Sequence, residues 1–199
     1  MEKVRKLLCK DFYDTIILAG GFSVRFGSDK CEYCISGKSM LQRVAENFDC
    51  PIIISHVRRK LNNQFKLIID EKREGPIKAI RYAIPFLSKN KIFITGCDFP
   101  FIKKELINII CNKDYDIILP LLDYPQPLLG CYKKSFIEAN YQKVNSFIEL
   151  INLANDIYFV GTEEIRLVDP TLNSVKNINR IDDILKKINI FTKSKIILK

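Results

Sequence analysis

The 199-residue chain has no apolar stretch long enough to cross a bilayer. Apolar stretches such as Ile52-Ile53-Ile54 and Ile107 to Cys111 fall far short of the roughly 18 residues a spanning helix requires. It has a single histidine, His56, with no companion for a metal site. It has no low-complexity tract, so nothing in the composition argues for disorder. Met1 to Lys10 carries charge but lacks a sustained apolar segment and a small-residue cleavage site, so residues 1–13 read as a short extension of a cytoplasmic protein. The seven cysteines are odd in number and scattered, which argues against a disulfide framework. Cys97 and Cys131 sit among apolar strand residues and read as small core hydrophobes. Cys31 and Cys34 form a C-x-x-C, but a structural zinc site needs two further ligands and a redox motif opens a helix, so both read as packing thiols.

What is present fits one folded domain over residues 1–199. Apolar residues make up 47% and charged residues 28%, enough for a substantial core without staples. Thirty-two Lys and Arg against 23 Asp and Glu give a net charge of +9, which attracts polyanions. The lysines are spread along the whole chain, and outside the loop described next only Arg58-Arg59-Lys60 forms a tight basic cluster. Aromatics interleaved with Lys and Arg on strands, the pattern of an RNA-binding sheet, are missing, so no nucleic-acid partner is expected.

Strand and helix patterns alternate from end to end, which predicts an α/β domain with a mostly parallel sheet and helices on both faces. Strands are predicted at Asp14 to Ala19, Ile52 to Ser55, Leu67 to Ile69, Lys91 to Thr95, Asp116 to Leu119, Leu128 to Tyr132 and Ile157 to Val160. Gly37-Lys38-Ser39 caps a helix carrying Met40, Leu41, Val44, Ala45 and Phe48. Pro76 starts a second helix, followed by helices at Lys103 to Cys111, Lys133 to Tyr141, Ser146 to Leu153 and Arg180 to Ile188, before a tail at 189–199 that frays.

The most informative segment runs from Ile16 to Lys30: a buried-strand pattern that breaks at Gly20-Gly21 and ends in Arg25 and Lys30. Glycines without Cβ atoms let backbone N–H groups approach an anion, and the two cations supply charge, so the loop is a phosphate cradle. Five residues separate Gly21 from Gly27, which rules out a Walker loop, and no G-x-G-x-x-G spacing is present. In open α/β sheets ligands bind beyond the carboxyl ends of strands. Besides this loop, Asp70 and Asp98 fall at such ends. An isolated aspartate there is often an N-cap or a turn carboxylate.

The pattern Leu-Ala-Gly-Gly-x-Ser-x-Arg-x-Gly-x-Asp-Lys resembles the signature loop of small nucleotidyltransferases and, within them, the molybdenum cofactor guanylyltransferases (the molybdopterin-guanine dinucleotide biosynthesis protein A family). Cys97-Asp98-Phe99-Pro100 resembles the family's Cys-Asp-x-Pro, Asp70 precedes a Gly75-Pro76 like the family's, and Gln126-Pro127-Leu128 and Asn177-x-Asn179 match its second half. Phe26 stands where a methionine is usual, Ser55-His56-Val57-Arg58 where relatives often carry an asparagine near the base, and Lys78-Ala79 where small residues are usual.

The resemblance implies a Rossmann-like nucleotidyltransferase fold and transfer of GMP from GTP to the terminal phosphate of molybdopterin, releasing pyrophosphate. It implies Mg²⁺ on Asp98, catalytic roles for Arg25, Lys30 and Asp98, and nucleotide contacts from Leu18, Ala19, Gly20, Gly21, Lys30, Asp70 and Asp98. Gln126, Asn177 and Asn179 would face the pterin substrate, and other proteins of molybdenum cofactor synthesis are implied partners. Two alternatives remain open: a cytidylyl or sugar-phosphate nucleotidyltransferase using the same loop, and a nucleotide-binding module without turnover. Leu-Ala-Gly-Gly in place of the Leu-Ala-Ala-Gly common in cytidylyl relatives favours guanine.

Overall fold

The computed structural model describes residues 9–21, 26–59, 61 and 65–184. A seven-stranded sheet forms its middle layer, in the order β5-β4-β1-β6-β8-β7-β9. The strands are β1 (Asp14–Leu18), β4 (Ile52–Ser55), β5 (Lys66–Ile69), β6 (Lys91–Gly96), β7 (Ile117–Pro120), β8 (Leu129–Lys133) and β9 (Ile157–Val160). A separate two-stranded hairpin, β2 (Cys34–Ile35) and β3 (Lys38–Ser39), stands apart from it. Every neighbour pair in the large sheet is parallel except those made by β8, which runs antiparallel to β6 and β7.

The alternation of side chains along each strand divides the core in two. Ile17, Ile53, Phe93 and Ile118 face one side, where α1 (Met40–Ala45) and α3 (Lys104–Cys111) cover them with Leu41, Val44, Leu106, Ile107 and Ile110. Ile16, Ile54, Ile92, Ile94 and Leu119 face the other, covered by α2 (Pro76–Ala79), α4 (Lys134–Asn140) and α5 (Phe147–Asn152) through Ile77, Ile137, Phe147 and Leu150. Each fully buried aliphatic side chain in these layers contributes roughly 2 kcal/mol. The expected helices on both faces are therefore present. Continuous apolar strands such as Ile52–Ser55, buried at all four positions, follow from that double cover.

Local chemistry sets the helix ends. The Ser39 hydroxyl accepts the Gln42 N–H and caps α1. Pro76 occupies the first turn of α2, entered from Gly75 at φ +96°, a conformation glycine adopts without strain. That helix is shorter than the apolar spacing predicts and continues as 3₁₀ turns at Ile80–Tyr82 and Ile84–Phe86. Pro85 has no N–H to offer the Arg81 carbonyl, so α-helical bonding does not run through to Leu87. The hairpin, the short helix α6 (Thr162–Arg166) and the 3₁₀ turn Asn173–Val175 are not foreseen by the sequence reading. A helical turn at 181–184 begins where the last helix is predicted; its continuation and the 189–199 tail lie outside the described residues.

Two disulfides correct the reading of the cysteines as unpaired. Cys9 bonds Cys50 and Cys31 bonds Cys97, with Cα–Cα distances of 5.5 and 5.6 Å. Sequence spacing does not reveal such pairs. Cys31 lies beyond β1 and Cys97 beyond β6, and only the adjacency of those two strands brings them together. Cys34 is an exposed thiol, while Cys111 and Cys131 are buried thiols as expected for core residues. The Cys9–Cys50 bond also ties down residues 9–13. The Lys10 N–H donates to the Asp49 carboxylate at 3.1 Å, the Asp49 N–H donates to Asp11 at 3.2 Å, and Tyr13 is buried.

Candidate active site

The site follows from strand register. Leu18 pairs with both Ile54 and Gly96, so the chain leaves β1, β4 and β6 at one level. The loops that follow open a crevice walled by Leu18, Gly20, Gly21, Lys30, Asp70, Arg73, Gly75, Pro76 and Asp98, with Leu128 arriving from the amino end of β8. This is the switch region where open α/β sheets bind ligands.

Lys30 and Asp98, 68 residues apart in sequence, meet here. Lys30 Nζ donates to Asp98 Oδ2 at 2.8 Å, with the side chains 18% and 13% exposed, so this ion pair is largely shielded from solvent. Behind it the Cys31–Cys97 disulfide joins the next residue after Lys30 to the residue before Asp98. Gly96 makes room for the arrangement. A Cβ there would press on the Asp98 carboxyl, lying 3.3 Å from its Cγ.

Asp70 is buried on the opposite wall, its N–H donating to the Ser55 carbonyl at 2.8 Å. Its carboxylate accepts the Arg73 N–H at 3.1 Å, so it organises its own turn as well as lining the crevice. Arg73 holds a left-handed conformation at φ +53° inside that turn. The asparagine pair reaches the site through the residue between them: the Ile178 N–H donates to the Asp98 carbonyl at 2.7 Å. Asn179 begins the last described turn, its N–H bonded to the Asp183 carboxylate at 3.0 Å. Gln126 is not among the crevice-lining residues; its N–H holds the Pro120 carbonyl at 3.0 Å, and Leu128 is the residue of that segment that lines the wall.

Ala19 differs from the expectation of a nucleotide contact. It is fully buried, its N–H donates to the Ile54 carbonyl at 2.8 Å, and its carbonyl accepts from Arg59 at 2.9 Å and Ser55 at 3.3 Å. Its backbone groups face the scaffold because the chain keeps strand pairing one residue beyond β1. Arg25 lies outside the described residues. Among the described residues no group of three or more His, Cys, Asp or Glu side chains converges as a metal cage. Asp98 nevertheless suits Mg²⁺, which is held by one or two carboxylates with substrate phosphates and water completing the shell.

Sequence reasoning missed Arg59, Gly96, Arg73 and Ile178. Arg59 was noted only as part of the basic cluster Arg58-Arg59-Lys60 and given no role, whereas its side chain is 1% exposed. Gly96 carried a signal, a glycine at a strand end two residues before the aspartate. Ile178 carried none, since its contribution is a backbone N–H.

The sequence profile of the MobA-like NTP transferase domain matches residues 15–144, which contain the glycine loop, Asp70 and Asp98. The chain belongs to that family. Within the family, a probable molybdenum cofactor guanylyltransferase of Natranaerobius thermophilus is 31% identical, the match covering 87% of this chain and 94% of the relative. One of the same description from Methanosarcina acetivorans is 28% identical over 85% and 87%. The crystal structure of molybdopterin-guanine dinucleotide biosynthesis protein A from Archaeoglobus fulgidus superimposes with a TM-score of 0.73 at 24% identity, covering 90% of this chain and 99% of that one. The 2-C-methyl-D-erythritol 4-phosphate cytidylyltransferase of Thermus thermophilus shares the fold at a TM-score of 0.59 and 10% identity, covering 75% and 88%. The MobA-like domain thus sits on a nucleotidyltransferase scaffold.

Proposed function

We propose that this chain is a guanylyltransferase of molybdenum cofactor synthesis, transferring GMP from GTP to the terminal phosphate of molybdopterin. The observation that carries this reading is the Lys30–Asp98 pair on the rim of a crevice walled by Gly20 and Gly21. The names borne by relatives across most of the chain support the base and the acceptor. A triphosphate donor fits a cytoplasmic setting, and among the described residues no helix is long and apolar enough to cross a membrane.

In the reaction an oxygen of the acceptor phosphate attacks the α-phosphorus, a new P–O bond forms, and the bond to the departing pyrophosphate breaks. The acceptor oxygen is already ionised at neutral pH, so no residue has to remove a proton. The chain's task is to position groups and stabilise charge. Lys30 and Arg25 offer positive charge to the leaving pyrophosphate, and the backbone at Gly20 and Gly21 leaves room for phosphate oxygens at close range. Asp98 would hold Mg²⁺, which when bound draws charge from the α-phosphate. Asp70 closes the nucleotide side of the crevice, and the segment from Asn177 to Asn179, anchored on Asp98, closes the acceptor side.

Asp98→Asn keeps the side chain's size and removes its charge. Turnover, read as pyrophosphate release from GTP and molybdopterin, should fall about a hundredfold or more while the melting temperature stays close to that of the parent. Near-parental release would overturn the role of Asp98 and, with it, the proposed mechanism.

A further inference from the structure

Arg59 is the most completely engaged buried cation in the described structure. It lies four residues beyond Ser55, the last residue of β4, and folds its guanidinium back under the glycine loop. Nε donates to Ser55 Oγ at 2.9 Å and Nη2 to the Ala19 carbonyl at 2.9 Å. Nη1 reaches Glu32 Oε1 at 2.7 Å, and Nη1 and Nη2 together straddle the Asp29 carboxylate at 3.0 and 3.4 Å. A guanidinium has five N–H groups in a fixed plane, and five contacts to four partners use that plane fully.

These partners are not scattered. Ala19 precedes the glycine loop, and Asp29 and Glu32 bracket the turn that returns from it. Asp29 Oδ1 also accepts the Cys31 N–H at 3.0 Å, and the Glu32 N–H donates to the Asp29 carbonyl at 3.1 Å. Lys30 sits inside this turn. Its backbone is therefore fixed on one side through Asp29 to Arg59, and on the other through Cys31 to Cys97. A lysine side chain has four rotatable bonds, so aiming its ammonium at Asp98 depends on the backbone from which it springs.

We infer that Arg59 is a positioning residue that holds the 29–32 turn in the register placing Lys30 on Asp98. It does not line the crevice. Its bearing on turnover rests on the role proposed above for Lys30. A lysine at position 59 keeps the charge but loses the fork that spans Ala19, Ser55 and Asp29, so conservation of charge alone does not preserve the function.

The test compares the parent protein with Arg59→Lys and, as a milder variant that weakens one of the two links from Arg59 to the turn and leaves the one to Glu32, Asp29→Asn. Brief acetylation with acetic anhydride, read residue by residue by peptide mass spectrometry, reports how firmly each lysine is held. Lys30 should label several-fold faster in both variants, while Lys113 and Lys133, which lie beside Lys91 at the end of β6 away from Asp98, label as in the parent. Unchanged labelling of Lys30 overturns the inference, as does a uniform rise at all lysines, which would mark a general loosening. In parallel, kcat should drop about tenfold with a smaller change in KM for GTP, as misplacement of a charge acting in the transition state predicts. Faster labelling of Lys30 with undiminished kcat supports the hold of Arg59 on Lys30 and instead removes Lys30 from the chemistry.

Discussion

At the scale of the residue, the site is governed by what must be absent as much as by what is present. Gly96 is the clearest case: its missing Cβ is the space into which the Asp98 carboxyl turns toward Lys30. Gly96→Ala should leave the sheet intact, since β6 tolerates a methyl, but swing Asp98 off Lys30. The expected result is a near-parental melting temperature with turnover down about tenfold or more, the signature of a displaced group and not of a destabilised fold. Loss of folding without a selective loss of turnover would show that Gly96 serves packing alone. The aspartates at strand ends were legible because a parallel sheet places ligands there. Arg59 was not, because a buried arginine and a solvated one look alike in sequence; what separates them is the set of acceptors contributed by β1, β4 and the 29–32 turn.

At the scale of the element, the segment between α6 (Thr162–Arg166) and the last turn depends on one carboxylate. Asp169 is buried; burial raises its affinity for a proton, but hydrogen bonds from Ser174 and Thr171 and the Lys103 ammonium outweigh that and bring its pKa down to about 2 from an ordinary 3.8. A group with a folded pKa below its unfolded one stabilises fully above the unfolded value and ceases to do so as pH falls through the folded value. The contribution of Asp169, about 2 kcal/mol, should therefore be present at neutral pH and vanish between about pH 4 and pH 2. Urea midpoints measured across that range should fall more steeply for the parent than for Asp169→Asn, which starts lower at pH 7; parallel curves would refute the assignment. Strand positions were legible in the apolar runs, and Ile157–Val160 and Ile52–Ser55 fall where the sequence places them. The 3₁₀ turns after Ala79 and the hairpin Cys34–Ser39 were not, since Pro85 and the Gly37 turn override spacing locally, and the reversed direction of β8 leaves no mark in its own residues.

At the scale of the whole molecule, the two disulfides close loops of 41 and 66 residues. The loop-entropy treatment assigns each about 4 kcal/mol. Such bonds are uncommon in thiol-reducing compartments, so melting the protein with and without a dithiol reductant is informative. A substantial drop in melting temperature on reduction is expected, and none would show that the pairs carry little of the fold's stability. Base choice also reads out globally: GTP should raise the melting temperature more than CTP at equal concentration, by mass action on the folded state. A larger rise with CTP would move the function to the cytidylyl branch and leave Lys30 and Asp98 in place. Within the described seven-stranded sheet β8 alone runs against its neighbours, and this has a consequence of its own. Loops on the donor side of the crevice leave β1, β4, β5 and β6, whereas Leu128 leads into β8, so the crevice has one wall made of exits and another made of an entrance. The register that aligns the exits is fixed by the parallel pairs of β1 with β4 and β6, and the entrance wall is attached through the antiparallel seam between β6 and β8. The exits and the entrance of the crevice are thereby set by different strand pairings, parallel for the one and antiparallel for the other.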